Sequence, residues 1–151
     1  MHTTTTTMQP AARDTAPHWP RHTVLLGIAL VALWANKWAG SVGEGAGWNI
    51  LWLCHVGTLV LALAAFTRQR MLVGVAALWI AAGLPVWLAD TLLVRSTTVA
   101  STLSHVGSFV IALHLVRRVG ISRVSWIVAT LGYVALQLLC RFVTPPALNV
   151  N

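Results

Sequence analysis

Residues 71–94 read MLVGVAALWIAAGLPVWLADTLLV, and Asp90 is the single formal charge among them. At about 1.5 Å of rise per residue, such a run is long enough to cross the ~30 Å hydrocarbon layer of a bilayer. Gly74, Ala77, Ala81 and Pro85 within it predict a helix that packs closely and kinks toward its far end. On either side lie further apolar runs, at 23–38, 48–66, 99–116 and 124–142. The breaks between the last four, TRQR (67–70), RSTT (95–98) and RRVGISR (117–123), are short enough only for tight connections between antiparallel neighbours. The expectation is an all-α, polytopic membrane protein with five transmembrane helices.

The whole composition agrees. Of 151 residues, 57% are hydrophobic and 9% charged, against roughly 25% charged in an average soluble domain. An ordinary water-soluble globule is thereby excluded. Ten basic residues against three acidic give a net charge of +7, which in a soluble chain would suggest nucleic acid. In a membrane chain it instead sets orientation and meets anionic headgroups. Two cysteines, Cys54 and Cys140, are too few for a disulfide framework and too far apart for a C-x-x-C pair. No phosphate loop, serine elbow or nucleic-acid module is present.

Residues 1–22, with five consecutive threonines and three prolines, have no apolar period and read as a disordered basic tail. The transmembrane domain covers 23–146 and a short tail 147–151. The first apolar run would also suit a signal peptide, but no convincing small-x-small cleavage site comes after it, so it reads as a signal anchor. Seven of the ten basic residues (Arg13, Arg21, Arg68, Arg70, Arg117, Arg118 and Arg123) fall on the side holding the amino terminus, here side A. Lys37, Arg95 and Arg141 fall on the opposite side B. The positive-inside rule then predicts a plasma (inner) membrane protein with its amino terminus in the cytoplasm and its carboxyl terminus outside.

CHVGTLVLAL (54–63) recurs as SHVGSFVIAL (104–113), fifty residues on. Both copies lie on helices running from B to A, and each is succeeded by an Arg-bearing turn and a return helix. The repeat therefore reads as a parallel helix hairpin about an axis along the membrane normal. Chance similarity between Val/Ala/Leu-rich spans is the plainer alternative. Counted from the helix ends, His55 lies about 10 Å from side B, His105 about 9 Å and Asp90 about 6 Å. Ionisable groups inside a span are costly and usually face a cavity or one another. These positions predict a polar cleft opening on side B, with Cys54, Ser101 and Ser104 beside the three groups and Gln137, Cys140 and Arg141 at the B end of the last helix.

Three chemistries suit such a cleft. A cysteine activated by a histidine base that a carboxylate orients attacks ester or thioester carbonyls, and Cys54, His105 and Asp90 supply those types. Neighbouring Cys54 and His55 point about 100° apart, so His55 suits substrate binding better than base catalysis, as do Arg141 and Ser104. That reading needs no cofactor. Alternatively His55 and His105, at equal depth on parallel helices, are an axial pair for haem b or ligands to a metal, with Arg95 or Arg141 meeting propionates. The third reading has no chemistry: a hydrogen-bonded knot gluing helices, with Ser104, Ser108 and Ala112 as a packing seam.

LCH (53–55), SHVG (104–107) and LNVN (148–151) together resemble the YwaF-like integral membrane family, which includes an ether-phospholipid acyltransferase branch. The chain is also distantly similar to androgen-induced-type membrane hydrolases of fatty-acid esters. The resemblance covers about residues 48–151. It implies a lipid substrate, Cys54 as nucleophile and His105 as base, with Asn149 and Asn151 near the site mouth. Members of that family usually have six or more helices. Five here imply a missing closing helix, or one supplied by a partner helix or a second copy. The expected partners are the bilayer and a lipid substrate, and no nucleic acid.

Overall fold

The computed structural model describes residues 19–94 and 97–144. Most of the expected tail, Arg95, Asn149 and Asn151 lie outside the described residues. The described chain is helical throughout: α1 (Thr23–Gly43), a short 3-10 turn (Gly47–Leu51), α2 (Leu53–Thr67), α3 (Arg70–Val94), α4 (Val99–Val119) and α5 (Ser125–Val143). By length and apolarity α1, α3, α4 and α5 each suffice to cross a membrane, while α2, at 15 residues, is shorter.

Two expected helices differ: the one at 23–38 continues five residues further, to Gly43, and the one at 48–66 starts late. Gly45 takes a positive φ of 72°, Gly47–Leu51 form the 3-10 turn, and Trp52 is extended at ψ 140°. A helix cannot propagate through an extended residue, so α2 begins at Leu53. At its other end Arg68 enters the left-handed region and α3 starts two residues later. Pro85 sits inside α3 without ending it. The Thr98 side chain caps α4 by accepting from the Ser101 N–H at 3.1 Å. Gly120, at φ 73°, turns the chain out of α4, and Arg70 closes that end by donating to the Ile121 carbonyl at 3.0 Å.

Helices α1, α2, α3 and α4 form a closed ring in which each packs against the next and α1 packs against α4. Antiparallel connections make α2 and α4 parallel across the diagonal of this ring. Offset-fifty partners meet there: Thr58 with Ser108, and the His55 ring with the His105 ring. Trp79 of α3 and Ala129 of α5 are also fifty apart and hydrogen-bonded at 2.9 Å. The second hairpin nevertheless does not repeat the first in its packing. The tertiary contacts of α5 are chiefly with α3, outside the ring, and α1 takes the position facing α3.

The apolar core fills one half of the ring. Leu30, Leu61, Ala62, Ala64, Ala65, Val73, Ala76, Ile80, Ala112, Leu115 and Val119 are buried together toward side A. The outward surface is apolar too, with Leu92, Leu93, Leu131 and Phe142 exposed. An exterior of this kind belongs in lipid.

Candidate functional site

The other half of the ring is polar. Cys54 and His55 stand in the first turn of α2, and α4 brings Ser101, Ser104 and His105 to the same level from across the diagonal. One turn deeper, Thr58 Oγ1 hydrogen-bonds both to the Cys54 carbonyl oxygen, at 2.9 Å, and to Ser108 Oγ, at 3.0 Å. That link fixes the register of α2 against α4 directly beneath Cys54. Gly83 of α3 lets α3 come close: a methyl group there would stand 2.8 Å from Cys54 Cβ.

Cys54 Sγ lies 3.2 Å from His105 Nε2. The other ring nitrogen, Nδ1, lies 2.8 Å from the Ser101 carbonyl oxygen, which only accepts, so Nδ1 carries a proton. In the neutral ring Nε2 is then the acceptor and the Cys54 thiol donates to it. Trp87 of α3 stacks on the same imidazole, with centroids 4.9 Å apart and planes 12° apart, and donates its indole N–H to Ser101 Oγ at 3.1 Å. His105 is held from its edge and from one face. His55 meets it edge to face at 5.2 Å between centroids. Cys54, His55 and His105 are all buried, and their donor atoms lie within 4.8 Å of one another.

Two cavities border this group, one on the Cys54 side and one on the histidine side. One, of about 480 Å³, lies at the B end of the ring and is lined by His55, His105, Ser101, Lys37, Glu44 and Asp90 among others. The second, of about 630 Å³, lies between α2, α3 and α5, with Cys54, Leu78, Val86, Trp126 and Tyr133 in its walls. Its lining is mostly apolar, and the exposed Trp126 and Tyr133 put it at the lipid-facing surface. Trp52 and Trp87 line both cavities. The buried Trp52 indole N–H has no hydrogen-bond partner among the described residues.

The sequence-derived residues divide accordingly. Cys54 and His105 are in contact, and His55 adjoins them. Asp90 shares the polar cavity but is exposed, and the group that orients His105 is the Ser101 carbonyl rather than Asp90. A backbone acceptor one turn back on the same helix leaves no carboxylate to find. Arg141 is exposed and lines neither cavity; Ser104 is buried and lines neither. Cys140 is buried in a separate small cluster with Leu136, packed against Trp52 and Val56. His114 lies beside His22 at the opposite end, their rings tilted by 36°, away from the site. Sequence reading missed Trp52, Trp87 and Lys37. Trp87 was legible only in part, since it stands three residues before Asp90 and so on nearly the same helix face.

The chain matches no protein-family profile, no characterised protein and no solved structure.

Proposed function

We propose that this membrane protein transfers or hydrolyses acyl groups held in ester or thioester linkage to a lipid-like molecule, with Cys54 as nucleophile and His105 as base. The observation that carries this reading is the 3.2 Å contact between Cys54 Sγ, which borders an apolar cavity, and His105 Nε2, which borders a polar one. A thiol is a poor nucleophile until its proton leaves, and a neutral Nε2 aimed at it is the group that takes the proton. Sγ then attacks the acyl carbon and the carbonyl π pair moves to oxygen. Collapse of that intermediate expels the alkoxide or thiolate, which receives the proton back from Nε2. A Cys54 thioester is left. Water or an acceptor hydroxyl, deprotonated by the same nitrogen, releases the acyl group and restores the thiol.

Other groups fall into supporting roles. The Trp52 N–H, without a partner among the described residues, is a donor for the developing oxyanion. The apolar cavity suits an acyl chain and the polar one a headgroup, with Lys37, Asp90 and His55 around it. The resemblance to the YwaF-like family points the same way. By the positive-inside rule the polar cavity faces outward from the plasma membrane.

In detergent or nanodiscs, the protein is expected to hydrolyse p-nitrophenyl esters faster as the acyl chain lengthens. His105→Ala should lower the rate about 10²- to 10⁴-fold and Cys54→Ala should abolish it. Turnover retained in Cys54→Ala contradicts the proposal.

A further inference from the structure

We propose that Cys54, His55 and His105 form a binding site for a zinc-class ion, which silences the thiol while bound. The three donors lie within 4.8 Å of one another, each belongs to a side chain at least nine-tenths buried, and they come from two helices tied together by the Thr58–Ser108 bond. One thiolate sulfur and two imidazole nitrogens are the donors that borderline-soft divalent ions prefer, whereas magnesium and calcium take oxygen. Three protein ligands leave the fourth tetrahedral position open, and the polar cavity beside both histidines offers it water.

The second layer of contacts fits the same role. A metal-bound imidazole usually donates its remote N–H to a carbonyl, and His105 Nδ1 does so to Ser101 at 2.8 Å. That bond leaves the Nε2 lone pair free on the side of the ring that faces Cys54 Sγ. A tetrahedral ion with bonds of about 2.3 Å to sulfur and about 2.0 Å to nitrogen holds its donors about 3.5 Å apart. The Sγ to Nε2 distance of 3.2 Å is already close to that, so chiefly His55 must move. The centroids of His55 and His105, 5.2 Å apart and edge to face, suit a bare ion better than a macrocycle lying between two opposed rings.

Binding replaces the thiol proton by the ion, and the proton leaves to water in the polar cavity. It occupies the sulfur and Nε2 lone pairs that acylation uses, so ion and acyl group exclude each other. This regulatory consequence rests on the acyl-transfer reading; the binding site does not.

The test is a Co²⁺ titration of the purified full chain after chelator treatment, with Cys140→Ser as background. The expected result is a near-ultraviolet sulfur-to-cobalt charge-transfer band and intense visible bands of tetrahedral Co²⁺, displaced by Zn²⁺. Cys54→Ser should remove the charge-transfer band, and both His55→Ala and the more conservative His55→Gln should weaken binding at least tenfold, with helicity unchanged by circular dichroism. No charge-transfer band, or one unaffected by all three substitutions, overturns the proposal. Acylation is scored separately on chelator-treated protein. Cobalt binding without acylation sinks only the acyl reading, and acylation without cobalt binding sinks only the metal site.

Discussion

Cys54 illustrates how one small side chain depends on what its neighbours lack. Gly83 leaves the space into which Cys54 Cβ fits, because an added methyl would approach it to 2.8 Å. The other party is close to the helix backbone and has no flexible end to swing away. Gly83→Ala is therefore expected to cost about 1–3 kcal/mol from overpacking and to slow Cys54 alkylation together with any acylation. Thermal unfolding in detergent and iodoacetamide labelling check both. Unchanged labelling and stability would mean that α3 is not pressed against Cys54. At this level the sequence was only partly readable. Counting residues along helices brought Cys54, His55 and His105 to one depth, and the chemistry of a nucleophile and its base, with the resemblance beside it, paired Cys54 with His105. Counting gives depth but not direction around the axis, which is why Asp90 was given a place that the Ser101 carbonyl holds.

Between α2 and α4 the decisive feature is the hydroxyl pair Thr58 and Ser108 one turn below Cys54. It ties the two helices together inside the ring and sets their relative height. Thr58→Val and Ser108→Ala should each destabilise by about 1 kcal/mol, and the double variant by clearly less than the sum. A double-mutant cycle measured by unfolding gives the coupling; strict additivity would show that the two hydroxyls do not support each other. Helix boundaries were largely legible, since 71–94 and 99–116 fall on α3 and within α4. The start of α2 was not, because WNIL at 48–51 is nearly as apolar as the first turns of α2 itself. Hydropathy does not register that Trp52 is extended.

Taken whole, the chain divides its ring into an apolar half and a polar half, and places one cavity at the polar end and another against the lipid-facing surface. The repeat was visible in the sequence as a ten-residue stretch, six of whose residues return unchanged fifty later. Its packing was not: α1 faces α3 across the ring and α5 lies outside it, because sequence similarity between hairpins does not fix which neighbour covers which face. The connections 44–52 and 97–98 lie at the polar end, and 68–69 and 120–124 at the other. Single cysteines introduced at Glu44 and Thr97 in a Cys54→Ser, Cys140→Ser background should label from outside intact cells with a membrane-impermeant maleimide. Cysteines at Arg68 and Arg123 should label only after lysis. The opposite pattern would reverse the proposed orientation while leaving the fold as it is.

The proposed chemistry requires Cys54 and His105 to work as a pair. Intact-mass and peptide mass spectrometry of the purified, chelator-treated protein, after brief exposure to a long-chain acyl thioester or p-nitrophenyl ester, measures that directly. The expected result is one acyl group on Cys54 of the native chain, none on Cys140, and formation about 10²-fold slower or worse in His105→Ala. An unmodified Cys54, or acylation at the same rate without the histidine, would contradict it.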